Sequence, residues 1–267
     1  MSASNSPLNL KNKAQPEPVA LFVSDVHLQA ALPRTTQAFI DFLRNHAIKA
    51  QQLYLLGDLF EYWAGDDDLA TSYNAEIVHN IRGVSDAGVA IFWIPGNRDF
   101  LVGEDFARTA GLNLLPDPFI ANIAGQRIVL THGDAQCTDD QAYMAFRAQV
   151  REPAWQREFL AMPLAKRKAL IEGMRNGSRE AQRSKSYEIM DVNCAAIASL
   201  HETSGCAIMI HGHTHRPAIH EIQVNGEKQV RYVLPDWDCD TKPARGGWLA
   251  LYADASFQSF CFDGAWA

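Results

Sequence analysis

Seven side chains carry the chemistry this sequence offers: Asp25, His27, Asp58, Asn97, His132, His213 and His215. All are oxygen or imidazole donors, and none is a thiolate. That mix suits Mn, Fe, Zn or Co, and suits neither Ca nor a structural cysteine-zinc site. Seven donors exceed what one tetrahedral ion takes and match two divalent ions that share a carboxylate. Two such ions, roughly 3.5–4 Å apart, clamp an in-line displacement at phosphorus and make hydroxide available at neutral pH. Asp58 is the candidate bridge between them.

Each donor follows a short apolar run. Residues 19–23 lead into Ser24-Asp25-Val26-His27, 53–56 into Gly57-Asp58, and 89–94 into Pro95-Gly96-Asn97-Arg98-Asp99. Residues 128–131 lead into His132-Gly133-Asp134, and 207–210 into His211-Gly212-His213-Thr214-His215. A buried strand that ends in glycine and a polar group delivers that group to the carboxyl edge of a sheet. The pattern predicts five strand ends converging on one place. A helix is expected over 35–47, with Phe39, Ile40, Phe42 and Leu43 on one face and Thr35 or Thr36 as its cap. A second is expected over 72–87, stopped by Gly88.

Successive donors lie 33, 39 and 35 positions apart up to His132, and then 81 separate His132 from His213. About 70 residues, spanning 135–205, are therefore inserted before the fifth strand end, and they read as helix. The segment 147–185 holds ten Lys or Arg against four Asp or Glu. The carboxyl-terminal part reads as strand. Asn225-Gly226 between two alternating runs signals a hairpin, with further strands over 248–252 and 257–262. The whole predicts an α/β protein with two sheets packed face to face and helices outside.

With 267 residues and 47% hydrophobic composition, the chain supports one large domain plus an insert. Five scattered cysteines without a C-x-x-C pair favour free thiols over a disulfide framework. Residues 1–18 are polar and proline-rich, and are expected to form a disordered tail rather than a secretory signal. No apolar run is long enough to span a bilayer, so a cytoplasmic protein is expected. A net charge of −7 argues against nucleic acid as a partner.

Taken in order, Asp-x-His, Gly-Asp, Gly-Asn, His and Gly-His-x-His resemble the signature of calcineurin-like metallophosphoesterases. Within that superfamily, seven further segments look like the UDP-2,3-diacylglucosamine pyrophosphohydrolases of the lipid A pathway in Gram-negative bacteria. They are Gly57-Asp58-Leu59-Phe60-Glu61, Gly65-Asp66-Asp67-Asp68, Gly96-Asn97-Arg98-Asp99-Phe100, Thr138-Asp139-Asp140, Ser184-Lys185-Ser186, Ile189-Met190-Asp191-Val192-Asn193 and His211-Gly212-His213-Thr214-His215-Arg216-Pro217. The resemblance implies a calcineurin-like four-layer αββα sandwich with a helical cap insertion. The core would be 19–134 and 206–267, and the cap 135–205. It implies hydrolysis of UDP-2,3-diacylglucosamine to UMP and 2,3-diacylglucosamine 1-phosphate with two divalent ions, Mn2+ by choice.

One ion would be held by Asp25, His27, Asp58 and His215, and the other by Asp58, Asn97, His132 and His213. The catalytic group would be Asp58, Asn97, Arg98 and His213. Substrate contacts would come from Asn97, Arg98, Asp140, Ser178, Gln182, Lys185 and His213. The resemblance also implies a monomer bound peripherally to the cytoplasmic face of the inner membrane. Two departures stand out: Gln182 replaces an Asn, and Pro235-Asp236-Trp237-Asp238 replaces Gly-x-Trp-His.

Arg98 stands where many calcineurin-like enzymes carry a His that assists the leaving alkoxide. Arginine is no general acid at neutral pH, but it grips phosphate oxygens in a fixed fork. A phosphate leaving group hardly needs a proton, so Arg98 fits pyrophosphate cleavage better than phosphomonoester cleavage. Asp99 and Asp134 read as anchors behind the ligands, and His211 as a strand or supporting residue. In the insert, Trp155, Phe159, Leu160, Met162, Leu164, Leu170, Ile171 and Met174 read either as core or as a face for acyl chains. Arg151, Arg157, Lys166, Arg167, Lys168, Arg175 and Arg179 read either as a solvated face or as contacts to an anionic membrane. Two rival functions remain at this point: a soluble nucleotide phosphodiesterase or diadenosine polyphosphate hydrolase, and a non-catalytic scaffold.

Overall fold

In β1 (Ala20–Val23), Leu21 and Val23 turn to one apolar layer and Ala20 and Phe22 to another. A strand apolar on both faces must be covered on both, which calls for layers above and below its sheet. The computed structural model describes residues 16–184 and 191–262, with side chains of 176–184 excepted. Residues 1–15 of the expected tail lie outside the described residues.

β1, β2 (Gln52–Leu55), β3 (Ala90–Trp93) and β4 (Asn113–Leu114) run parallel. β10 (Gly247–Leu251) and β11 (Phe257–Cys261) extend the β1 edge antiparallel, giving the order β11-β10-β1-β2-β3-β4. The second sheet has the order β5-β6-β7-β9-β8. Its strands are β5 (Phe119–Ile123), β6 (Gln126–Leu130), β7 (Ile208–His211), β8 (Ala218–Val224) and β9 (Glu227–Val233). The sheets pack face to face through Phe22, Tyr54, Leu56 and Ile94 on one side and Ile128, Leu130 and Ile210 on the other. The outer face of the first sheet is covered by α1 (Pro33–Asn45), α2 (Ser72–Asp86) and α3 (Glu104–Ala110), through Phe39, Phe42, Ile77, Ile81 and Phe106. The outer face of the second is covered by α7 (Cys194–Ser204), where Ile197 packs with Val129 and Met209. The result is the expected αββα layering. Asn225 and Gly226 join β8 to β9 with φ of 52° and 81°, the two positive values that a two-residue hairpin turn demands.

Three local expectations are corrected or decided. The first helix begins at Pro33, and neither Thr35 nor Thr36 caps it. Proline is pre-set for the first helical turn, and a distant carboxylate serves the exposed N–H groups. Asp240 accepts from Arg34 N at 3.2 Å, from Thr35 N at 2.9 Å and from the Thr35 hydroxyl at 2.9 Å.

The second outcome decides between the two readings of the apolar residues of α5 (Pro153–Leu160) and α6 (Leu164–Ser184), and for six of the eight it is the core reading that holds. Phe159 and Ile171 are buried in the main core, and Trp155, Met162, Leu164 and Met174 pack against it. Only Leu160 and Leu170 of that set are exposed.

The third concerns the basic residues, four of which are internal ties. Arg167 is 2% exposed, donates to Met162 O and Ala64 O, and pairs with Asp67. Lys168 lies 2.6 Å from Asp68, and Arg175 pairs with Glu61. Arg151, at the end of α4 (Gln141–Arg151), donates to Gly96 O at 2.9 Å. Arg157 and Lys166 are exposed, and the side chain of Arg179 lies outside the described set. A cationic helix face beside the acidic run 66–68 is neutralised before it meets solvent.

Candidate metal centre

The five strand ends meet. Ligand atoms of Asp25, His27 and His215 lie within 4.8 Å of one another, and so do those of Asp25, Asp58 and His132. Asp25 is common to both groups. His27 Nε2 and His215 Nε2 are 3.2 Å apart, and Asp25 Oδ1 lies 3.4 Å from His215 Nε2 and 4.0 Å from His27 Nε2. In the second group, His132 Nε2 lies 3.6 Å from Asp58 Oδ1 and 2.9 Å from Asn97 Oδ1. The His213 ring stands 5.0 Å from that of His132 between centroids. All seven donors singled out in the sequence thus surround one place, fed by both sheets.

Backbone geometry concentrates here. Asp25, His27, Asp58, His213 and His215 all have φ between 52° and 67°, in the left-handed region that costs free energy for residues other than glycine. Hydrogen bonds between the loops hold them there. Asp25 N donates to Gly57 O and His27 N to Asp58 O, both at 3.0 Å, and Trp237 N donates to Asp25 O at 2.9 Å. His213 N donates to Asp25 Oδ2 at 2.8 Å, and Gly212 N to His132 O at 3.0 Å. Close approach fixes two glycines. A Cβ on Gly96 would overlap the Asp58 carboxylate, and one on Gly212 would overlap that of Asp25.

A ring of supporting groups orients the donors. Asp99 accepts from the backbone of Gly96 at 2.8 Å, Leu59 at 2.7 Å, and Asp58 and Phe60 at 3.3 Å, joining two loops through one carboxylate. Asp134 accepts from Tyr143 Oη at 2.6 Å and Arg147 Nε at 2.8 Å. Glu61 Oε2 lies 3.0 Å from His27 Nδ1, and Arg175 of α6 holds the other oxygen. Burial works to raise the Glu61 carboxyl, but His27, Arg98 and Arg175 outweigh it and hold it down at about 2. His211 is fully buried, with Nε2 2.9 Å from Arg231 Nη1 and Nδ1 2.8 Å from Gly212 O. A guanidinium only donates, so His211 Nε2 accepts and Nδ1 carries the proton. Sequence reasoning missed Glu61, Tyr143, Arg231 and Asp236 as partners of the site. Only Glu61 had a local signal, three positions after Asp58.

These residues fit divalent ions. Asp25 Oδ1 is buried and accepts no hydrogen bond, while two imidazole nitrogens stand over it. Burial lowers His132, yet Asp58, Asp25 and Asp134 hold its pKa up to about 9. Burial and then the Asp58 charge push Asp99 up to about 6. The His132 shift records the carboxylates gathered round a buried ring, whose charge a pair of cations would compensate, while that of Asp99 is chiefly burial. His213 is lowered to about 4, by burial first and by His132 next.

The remaining singled-out residues are placed as follows. Arg98 donates its backbone N–H to Asp58 Oδ1 at 2.8 Å. Asp140 caps α4 by accepting from Tyr143 N at 3.1 Å. Ser178 and Gln182 lie on α6 with side chains outside the described set, and Lys185 lies outside the described residues.

Comparison with known proteins gives the following. The calcineurin-like phosphoesterase family matches residues 19–217. A protein of Aromatoleum aromaticum named UDP-2,3-diacylglucosamine hydrolase is 49% identical over 221 residues, which is 83% of this chain and 90% of that one. Bordetella pertussis has a protein of the same name, 45% identical over 90% of this chain and 93% of that one. One from Klebsiella pneumoniae subsp. pneumoniae is 48% identical over 81% and 90%.

Proposed function

Since this chain belongs to the calcineurin-like phosphoesterase family, and within it to the UDP-2,3-diacylglucosamine hydrolases, we propose the following activity and site. The chain hydrolyses the pyrophosphate bond of UDP-2,3-diacylglucosamine, giving UMP and 2,3-diacylglucosamine 1-phosphate in lipid A biosynthesis. The observation that carries this is a relative of that name, 49% identical over most of both chains. The two donor groups around Asp25 agree with it.

Asp25, His27, Asp58 and His215 would hold one ion, and Asp58, Asn97, His132 and His213 the other, with Mn2+ the metal. Two divalent ions held there would supply activated water and polarisation of the phosphoryl oxygen. Asn97 is held beside His132, so its side chain is pre-oriented. Arg98 grips a diphosphate oxygen and steadies the charge that develops on the leaving phosphate. Asp140, Ser178, Gln182 and Lys185 would contact the sugar phosphate, and the insert would shelter the acyl chains. Peripheral contact with the inner membrane, by a monomer, would use exposed Phe146, Leu160 and Leu170. No described helix is long and apolar enough to cross a membrane.

The test is hydrolysis with Mn2+ in oxygen-18 water, comparing UDP-2,3-diacylglucosamine with UDP-N-acetylglucosamine by mass spectrometry. The acylated substrate should be preferred and the label should enter UMP, marking attack at the α-phosphorus. Equal turnover of both substrates would point instead to a soluble nucleotide hydrolase.

A further inference from the structure

His215 is the most exposed of the candidate ligands, with its side chain 41% accessible. It lines a cavity of about 370 Å³. Pro217, Pro235, Asp236, Arg245 and Cys261 line it beside His215, and no described residue of the insert does. The cavity belongs to the centre through its backbone, because Trp237, next to Asp236, donates to Asp25 O. Asp236 is 6% exposed, with Oδ2 2.8 Å from Arg245 Nε and 3.6 Å from His215 Nδ1.

A nucleoside diphosphate sugar has two ends. If the acyl chains lie under the insert, the nucleoside must leave the metals by another route. This cavity is small, walled by two prolines and mixed in polarity, which suits a flat ring and ribose rather than two acyl chains. A uracil edge presents one N–H donor between two carbonyl acceptors. A carboxylate beside a guanidinium offers the complementary acceptor and donors. We propose that this cavity is the nucleoside subsite, in which the Asp236–Arg245 pair reads the imide edge of the base. The proposal rests on the substrate reading above.

The experiment is calorimetric titration of Mn2+-loaded protein with UMP and with inorganic phosphate, for the native chain, Arg245→Met and Cys261→Tyr. The first variant removes the donor; the second fills the cavity. UMP affinity should fall about tenfold or more in both, with phosphate affinity unchanged. KM for UDP-2,3-diacylglucosamine should rise in step, by a larger factor than any fall in kcat. Unchanged UMP affinity and KM in both variants would overturn the subsite, even with full turnover of the lipid substrate. CMP binding as tightly as UMP would overturn the imide contact. Variant-sensitive UMP binding by a protein that fails to cleave the lipid substrate would uphold the subsite and sink the substrate reading instead.

Discussion

Five of the seven candidate ligands sit on left-handed backbone. Those conformations persist because each loop is hydrogen-bonded to another loop that also carries a donor. The centre should therefore respond to single atoms. Asp58→Ala or His213→Ala should lower Mn2+-dependent turnover by more than about 100-fold, since even residues behind metal ligands cost about 10–100-fold; metal content measured on the same samples separates lost ions from lost chemistry. His211 gives a spectroscopic expectation. Its folded pKa is lowered to about 3, by burial first and by Arg231 next. It should remain the neutral Nδ1–H tautomer by nitrogen-15 NMR down to pH 5. The unfolded chain protonates such a group near pH 6.5, so its contribution to stability is complete above that value and is lost as pH falls below it.

Among the elements, the acidic run after β2 docks the insert. Asp66 accepts from Trp63 Nε1 at 3.0 Å and from the backbone of Gly103 and Phe106, closing the start of α3. Asp67 and Asp68 receive Arg167 and Lys168 from α6. One acidic stretch thus caps one helix and anchors another. Arg167→Met should cost about 1–3 kcal/mol, because the Ala64 and Met162 carbonyls lose a buried donor; thermal unfolding reads it. Asp240→Ala should cost about 1 kcal/mol, as loss of a helix cap does, although the cap comes from 205 positions away. A shift as large as that of Arg167→Met would mean that Asp240 holds more than the helix start.

For the molecule as a whole, both sheets end at the same carboxylates, so divalent ions held there would tie the two sheets together. Chelation should abolish hydrolysis and lower the unfolding temperature. Mn2+ at about 100 times its dissociation constant should restore about 2.7 kcal/mol per site. An unfolding temperature indifferent to Mn2+ would mean that the layers close without the ions. With four of the insert's basic residues turned inward, attraction to anionic vesicles should depend on exposed Leu160 and Leu170. Leu160→Asp with Leu170→Asp should weaken vesicle co-sedimentation; an unaffected double variant would remove this face from membrane contact.

The donors and the strands that present them were legible in the sequence because the signal is local: an apolar run, a glycine and a donor fit within about six residues. The Asn225-Gly226 hairpin was legible for the same reason. β4 was not, since a two-residue strand has no period to read. Helical spacing marked the apolar faces of α5 and α6, but not what covers them; only packing against the main core made Phe159 and Ile171 interior residues. Charge count made the insert look cationic, and tertiary structure set Arg167, Lys168 and Arg175 against partners 100 or more positions away. Side-chain chemistry and local period are properties of a stretch of chain. Which charges neutralise one another, and which carboxylate steadies which imidazole, depend on distances that exist only once two sheets and their helices have closed on a common edge.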